Sequence, residues 1–276
     1  MKLIDFHAHV YPAAIARKAT QSVCDFYELQ SDNAGTPEEK LDLDRLVGIC
    51  KTLLLPVSVS PKHTRSANAF VAEQMRLHPE FTAFGTVHPA DADLPAQLEE
   101  NRRLGLVGIK LHPDMQKINA DDPLLFPLYD ALQGREPLYL HAGDPRTGYS
   151  HPARIRHILQ TFPRLTVVAA HMGSWQMQDI ATPLLSCFEN CIVDTSSALS
   201  WMPAEKAASI INAYGADRVF FGTDYPVGDP VREANAFAAL PLRDGDREKI
   251  AYLNAERFFR DFGFFNGENG PCKTTY

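Results

Sequence analysis

Two histidines, His7 and His9, stand two residues apart at the end of the apolar run Leu3-Ile4-Asp5-Phe6. In an extended chain such a pair shares one face, and two neutral imidazoles side by side suit zinc or a similar divalent ion. Asp5 continues that row one step deeper, where it is expected to steady a ligand histidine rather than bind metal itself. His141, His171 and Asp224 end or follow three further apolar runs. Each residue alone reads as a hydrogen-bonded core group. Together they describe a metal site. A divalent ion with an open position would make a water nucleophilic near neutral pH. Asp224 beside it could take and return a proton, and His171 could orient the water or polarise a carbonyl.

The elements that position these residues follow from a regular beat. Eight short runs, near-continuous in apolar character, span 3–7, 52–55, 82–87, 106–111, 137–140, 166–170, 191–194 and 218–222. That is the pattern of strands buried on both faces. Helical patterns lie between them. Thr36-Pro37-Glu38-Glu39 has an N-cap, a first-turn proline and a capping-box glutamate. Leu43, Leu46, Val47 and Cys50 then give a stripe. Further stripes run over 66–77, 95–104, 150–159, 203–214 and 244–259, with Gly215 stopping the fifth helix. Eight strand-helix units without a linker predict a single (β/α)8 TIM barrel over residues 1–262. A Gly-rich turn, which an open dinucleotide-binding sheet would want, is replaced after the first run by His7-Ala8-His9. The longer first connection predicts an inserted helix or lid near 11–35, and residues 263–276 a loosely held tail.

In a parallel barrel all strands end on one face, where the active site is built. Six of the ten histidines, His7, His9, His88, His112, His141 and His171, fall at run ends. Lys110 in the fourth run and His112 just after it could bind a substrate anion, or Lys110 could simply pack its stem in the barrel. Arg146, after the fifth run, is a candidate carboxylate clamp or a solvated loop arginine. Trp201 and Met202 could line the pocket or pack beneath a helix.

Composition sets the outer limits. The 276 residues are 45% hydrophobic and 22% charged, with net charge -7. Disorder and a collagen-like chain are excluded. The acidic balance argues against nucleic acid or a membrane surface as a general partner. Five scattered cysteines make a poor disulfide framework and point to a reducing, cytoplasmic setting; Cys187 and Cys191 read as buried thiols. Association into a homo-oligomer is compatible with such a barrel.

Four segments carry a family resemblance: Ile4-Asp5-Phe6-His7-Ala8-His9, Leu140-His141-Ala142-Gly143, Ala170-His171-Met172-Gly173 and Phe221-Gly222-Thr223-Asp224-Tyr225-Pro226. They resemble the amidohydrolase superfamily, and within it the branch of aminocarboxymuconate semialdehyde decarboxylase. The helix at Asn254-Ala255-Glu256-Arg257-Phe258-Phe259 is similar to that branch's closing helix. The resemblance implies metal ligands at His7, His9, His141 and Asp224, with His171 as the histidine that orients water or substrate. In binuclear members of the superfamily a lysine on the fourth strand is carboxylated and bridges two metals. For Lys110 substrate contact is the preferred reading, and one ion, zinc, is expected. The resulting expectation is a hydrolase cleaving a C–O or C–N bond in a small, carboxylated substrate. Its rivals are a metal-dependent non-oxidative decarboxylase and a metal-free barrel without chemistry.

Overall fold

The structure, a computed structural model, describes residues 1–91 and 93–264. All eight apolar runs form strands. They are β1 (Leu3–Ala8), β2 (Ile49–Leu54), the split pair β3 (Phe81–Ala83) and β4 (Gly85–Thr86), β5 (Ile109–Leu111), β6 (Leu138–Leu140), β7 (Val167–Ala169), β8 (Cys191–Asp194) and β9 (Val219–Phe220). Every strand pairs in parallel with the next, as β1-β2-β3 and β4-β5-β6-β7-β8-β9. The third stave is interrupted at Phe84, whose N–H donates back to Leu54 O at 3.1 Å while Gly85 N–H turns to Gly108 O at 3.0 Å. The ring closes where Phe6 N–H reaches Phe221 O at 2.8 Å and Asp224 N–H reaches His7 O at 2.8 Å. The result is a TIM barrel.

Strand alternation divides the core in two. Inside the barrel, Ile4, Phe6, Leu53, Tyr139, Val168 and Phe220 form one cluster. Its lower end is plugged by Phe258 and Phe259 of α12 (Asn254–Asp261), with Phe6 at 5.2 Å and 5.4 Å from the two rings. Leu3, Ile109, Leu138, Leu140, Val167 and Val193 face outward onto the helices. Phe264 stacks on Phe84 at 5.7 Å; residues 265–276 of the expected tail lie outside the described residues.

The helices include α1 (Ala16–Tyr27), α2 (Pro37–Val47), α3 (Pro61–Leu77), α4 (Leu94–Arg103), the short α5 (Pro113–Gln116) and α6 (Phe126–Leu132). They continue with α7 (Pro152–Thr161), α8 (Gln178–Leu185), α9 (Ala204–Tyr214), α10 (Pro230–Ala238) and α11 (Asp244–Glu248), which passes through a π-turn into α12. Thr36 caps α2 as expected, accepting from Glu39 N–H at 3.2 Å. Glu39 reaches past the cap to the N–H groups of Ala34 and Gly35, at 2.6 Å and 3.2 Å. The stripe on α2 is rotated from the expected one: Leu46 is 74% exposed, and the buried residues are Pro37, Lys40, Leu41 and Asp44. Cys187 is exposed rather than buried, because α8 ends before it. Among the described residues, no helix is long and apolar enough to cross a membrane.

The rotation of α2 serves a buried ion network. Lys40, fully buried, pairs with Asp44 and with Asp5 Oδ2 at 3.0 Å, and Thr52 Oγ1 donates to Asp44 Oδ2 at 2.8 Å. Removing the cation would leave two carboxylates buried without compensation. Lys40→Met is therefore expected to lose about 3–5 kcal/mol of unfolding free energy. A shift in the urea midpoint at constant slope checks this; an unchanged midpoint refutes the dependence.

Candidate functional site

The upper ends of β1, β5, β6, β7, β8 and β9 face a cavity lined by His7, His9, Lys110, His141, His171 and Asp224, among others. In β1 the pairing register on β2 shifts between Asp5 and Ala8, an irregularity of the kind that re-aims side chains. His7 and His9 turn their rings into the cavity. Asp5 does not continue their row. Its carboxylate accepts the backbone N–H groups of His7 (3.0 Å) and Thr223 (2.9 Å) and faces Lys40. It therefore pins the main chain at the ends of β1 and β9 rather than an imidazole.

Asp194 takes the role expected of Asp5. Its Oδ2 lies 3.3 Å from His7 Nδ1 and accepts the Tyr139 hydroxyl at 2.5 Å, and Ser196 Oγ lies 2.8 Å from the same Nδ1. His9 Nδ1 meets Leu55 O at 2.5 Å, so that nitrogen donates. Both rings are thus fixed with Nε2 as the free lone pair. The two Nε2 atoms are 3.2 Å apart, and each lies near Asp224 Oδ1, at 3.3 Å and 3.4 Å. Three acceptors facing one another repel unless a cation stands between them. Such separations match the edges of a coordination shell with bonds of about 2.1 Å. Two imidazoles and a carboxylate fit a divalent transition ion.

Burial, with Lys110 next, holds the His7 imidazole well below its ordinary pKa, so it stays neutral as a ligand must. Asp224 and His171 both adopt left-handed backbone, with φ of +61°. That strained conformation ends each strand abruptly and aims its side chain inward.

Lys110 is fully buried, its Nζ 3.5 Å from His7 Nε2 and 4.6 Å from the Tyr139 ring centre. Burial lowers its pKa to about 8, although Asp224 and Asp194 oppose the shift. His141 lies in the cavity but outside the close triad. Its Nδ1 faces His171 Nε2 at 3.1 Å and its Nε2 faces the Tyr27 hydroxyl at 3.1 Å. His112 stacks on His141 at 4.0 Å.

A profile described as amidohydrolase matches residues 4–260. The chain belongs to the amidohydrolase family. A γ-resorcylate decarboxylase from Polaromonas sp. is 26% identical to this amidohydrolase-family chain over 249 residues, covering 71% of it and 76% of the relative. An uncharacterised TIM-barrel protein from Bordetella bronchiseptica superposes with a TM-score of 0.81 at 25% identity, covering 95% of this chain and 100% of the other. A dihydroxybenzoic acid decarboxylase from Polaromonas sp., with bound manganese and the inhibitor 2-nitroresorcinol, gives 0.73 at 20% identity, covering 94% and 97%.

The structure of this amidohydrolase-family chain brings five expected residues into one cavity with Lys110 and His112. It does not bring Arg146. Both of that residue's outer faces are taken, by Asp144 at 2.8 Å and by Phe26 O at 2.6 Å, so no fork remains for a substrate carboxylate. Trp201 is 64% exposed, away from the cavity, and Met202 packs on the outer core. Sequence reasoning misses Asp194, Ser196 and Trp175. Asp194 and Ser196 carry a legible signal, polar residues at the end of the seventh run, and Trp175 carries none. Tyr27 is expected only as part of a lid over residues 11–33, and the structure places its hydroxyl between His112 and His141.

His7→Ala and Asp224→Asn are each expected to abolish stoichiometric binding of a divalent ion, whereas Asp194→Asn weakens it about 10–100-fold. His171→Ala leaves most of it. With His7 held neutral, the wild-type protein retains its ion at pH 6. Metal content after dialysis measures all of these, and retention by His7→Ala would disprove the triad.

Proposed function

We propose that the protein is a metal-dependent non-oxidative decarboxylase of a small hydroxylated aromatic acid. What carries the choice over hydrolysis is that relatives aligned over about three quarters of their length are named for decarboxylation. The site residues support either chemistry, since both need an ion with an open position.

In this reading His7, His9 and Asp224 hold the ion, and His141 joins them by turning a ring nitrogen away from its present partner. A bound divalent ion would supply a fixed positive charge for the substrate's oxygens. The buried Lys110 ammonium adds a second positive charge, so that a carboxylate is anchored despite the acidic chain. The C–C bond to the carboxylate breaks, carbon dioxide leaves, and the carbon that loses it takes a proton. Water supplies that proton and Asp224 passes it on to the carbon. Its Oδ2, held by the Ser197 hydroxyl, is the carboxylate atom not turned to the imidazoles. His171 neighbours His141 at 3.1 Å and orients the substrate. Val23, Leu29, Val57, Met115 and Trp175 line the apolar remainder of the cavity, which suits a ring and excludes water.

Zinc is the ion expected from the ligand types, while manganese occupies the similar dihydroxybenzoic acid decarboxylase. Reconstitution with each metal decides between them. A cytoplasmic setting and a small anionic partner belong to the same proposal.

Incubation of metal-loaded protein with γ-resorcylate and related hydroxybenzoates is expected to release carbon dioxide with no net addition of water. Uptake of labelled water oxygen into a cleaved ester or amide, without carbon dioxide, would return the protein to the hydrolases. His141→Ala is expected to lower metal content sharply; content equal to that of His171→Ala would remove His141 from the ligand set.

A further inference from the structure

The excursion between β1 and α2 leaves the barrel at Tyr11 and rejoins it at Gly35, where Tyr11 N–H donates to Gly35 O at 2.8 Å. Its return limb is anchored. Asn33 Nδ2 donates to Pro226 O at 3.1 Å, and Gly35 N–H donates to the Tyr225 hydroxyl at 3.1 Å. The helix within it, α1, is held differently. It buries only the narrow face Ala16, Thr20, Cys24 and Tyr27, has no side-chain N-cap and carries no basic residue in its last turn. Among the described residues, it packs extensively against no other helix or strand.

Its carboxyl end is gripped from outside. Arg146 Nη1 donates to Phe26 O at 2.6 Å, at the end of a helix where carbonyls lack partners and a cation is favoured. The guanidinium lies 5.2 Å from the Phe26 and Tyr27 ring centres and 5.4 Å from that of Trp175. Asp144 fixes it in place, with Nε–Oδ1 at 3.0 Å and Nη2–Oδ2 at 2.8 Å. What this grip delivers is the Tyr27 hydroxyl, 2.7 Å from His112 Nε2 and 3.1 Å from His141 Nε2. His112 Nδ1 accepts the Met115 N–H, so its Nε2 carries the hydrogen and donates to Tyr27. His141 Nε2 also lies 3.1 Å from Gly143 O, which only accepts, so it too carries its hydrogen, and the phenolic hydrogen is left to point at a bound molecule.

We propose that Tyr27 is a substrate-facing residue carried on α1, and that Arg146 is a positioning residue that latches α1 shut. The inference rests on the cavity being the decarboxylase site. While Tyr27 covers His112 and His141, a ligand that hydrogen-bonds those rings must displace its hydroxyl or bind beside it. Opening breaks the Tyr27 hydrogen bonds and the Arg146 grip but no strand pairing, so α1 lifts about the Tyr11–Gly35 neck as a local event.

Trp175 reports the latch. Of the protein's two tryptophans, the exposed Trp201 is removed as Trp201→Phe, and the full-length, metal-loaded chain is used throughout. In that background Arg146→Ala is expected to speed hydrogen exchange of residues 16–27 about tenfold or more, the loss of one hydrogen bond to a charged group. Acrylamide quenching of Trp175 rises with it, while exchange in α7 and metal content stay unchanged. Arg146→Lys, which keeps a donor but not the fork, falls between. Tyr27→Phe lowers kcat/KM on γ-resorcylate, and adding Arg146→Ala lowers it little further.

Unchanged exchange and quenching in Arg146→Ala overturn the latch, whether or not any substrate is turned over. Faster exchange in α7 as well as α1 overturns it in favour of a general stabilising role. Additive losses in kcat/KM overturn the claim that Arg146 acts through Tyr27. A protein that releases no carbon dioxide fails as a decarboxylase, yet exchange and quenching still decide the latch.

Discussion

Three acceptor atoms that repel one another, His7 Nε2, His9 Nε2 and Asp224 Oδ1, are held within 3.4 Å. The barrel's upper face is organised around that constraint. His7 cannot rotate away because Asp194, Ser196 and Tyr139 surround its Nδ1. His9 cannot because Leu55 O holds its other nitrogen. Asp224 is aimed by its left-handed backbone, and its N–H is bound to His7 O. A cation relieves the repulsion, so ion binding and the stability of this face are one property. The buried Lys40–Asp5–Asp44 cluster extends the same logic downward, because Asp5 locks the main chain at both His7 and Thr223.

The barrel was legible because its strands are buried on both faces. Each apolar run is short and nearly unbroken, and eight of them between amphipathic helices, with no Gly-rich turn after the first, favour a closed barrel over an open sheet. The strand-end histidines followed directly, since parallel strands deliver their ends to one face. Side-chain direction within a strand was less legible. Asp5 was placed by assuming a regular two-residue alternation, and the register shift between Asp5 and Ala8 breaks it. Helix faces failed for a related reason. On α2 hydropathy favours Leu43, Leu46, Val47 and Cys50 as the buried stripe, but pairing with Asp5 makes Lys40 the better residue to bury, and Leu46 is turned to solvent. A charge whose partner lies 35 positions away leaves no local trace.

His141 is shared between two sets of partners. The resemblance gives it to the metal, whereas the geometry gives its nitrogens to His171 and Tyr27. The two readings differ by a ring rotation inside one cavity. His141 stacks flat on His112, and such a contact tolerates rotation about the side chain less than an exposed ring would. Stacking therefore narrows the choice to which edge of His141 meets the ion and which meets its neighbours.

The net charge of -7 bears on the proposed substrate, since an acidic protein that takes a carboxylate must draw in an anion. Arg146, read from the sequence as a clamp or a solvated loop arginine, is paired with Asp144, which offsets its charge. Lys110 is different. It has no salt-bridged carboxylate of its own, and the nearest acids act on it only through space. Its charge and that of the ion are therefore the ones left to face an incoming carboxylate, within a wall of neutral imidazoles that screens neither. Attraction is confined to the bottom of the cavity, and the acidic exterior repels anions everywhere else. On these grounds affinity for a carboxylate should depend on Lys110 and the ion, and loading of the substrate should depend on the lid that Arg146 holds.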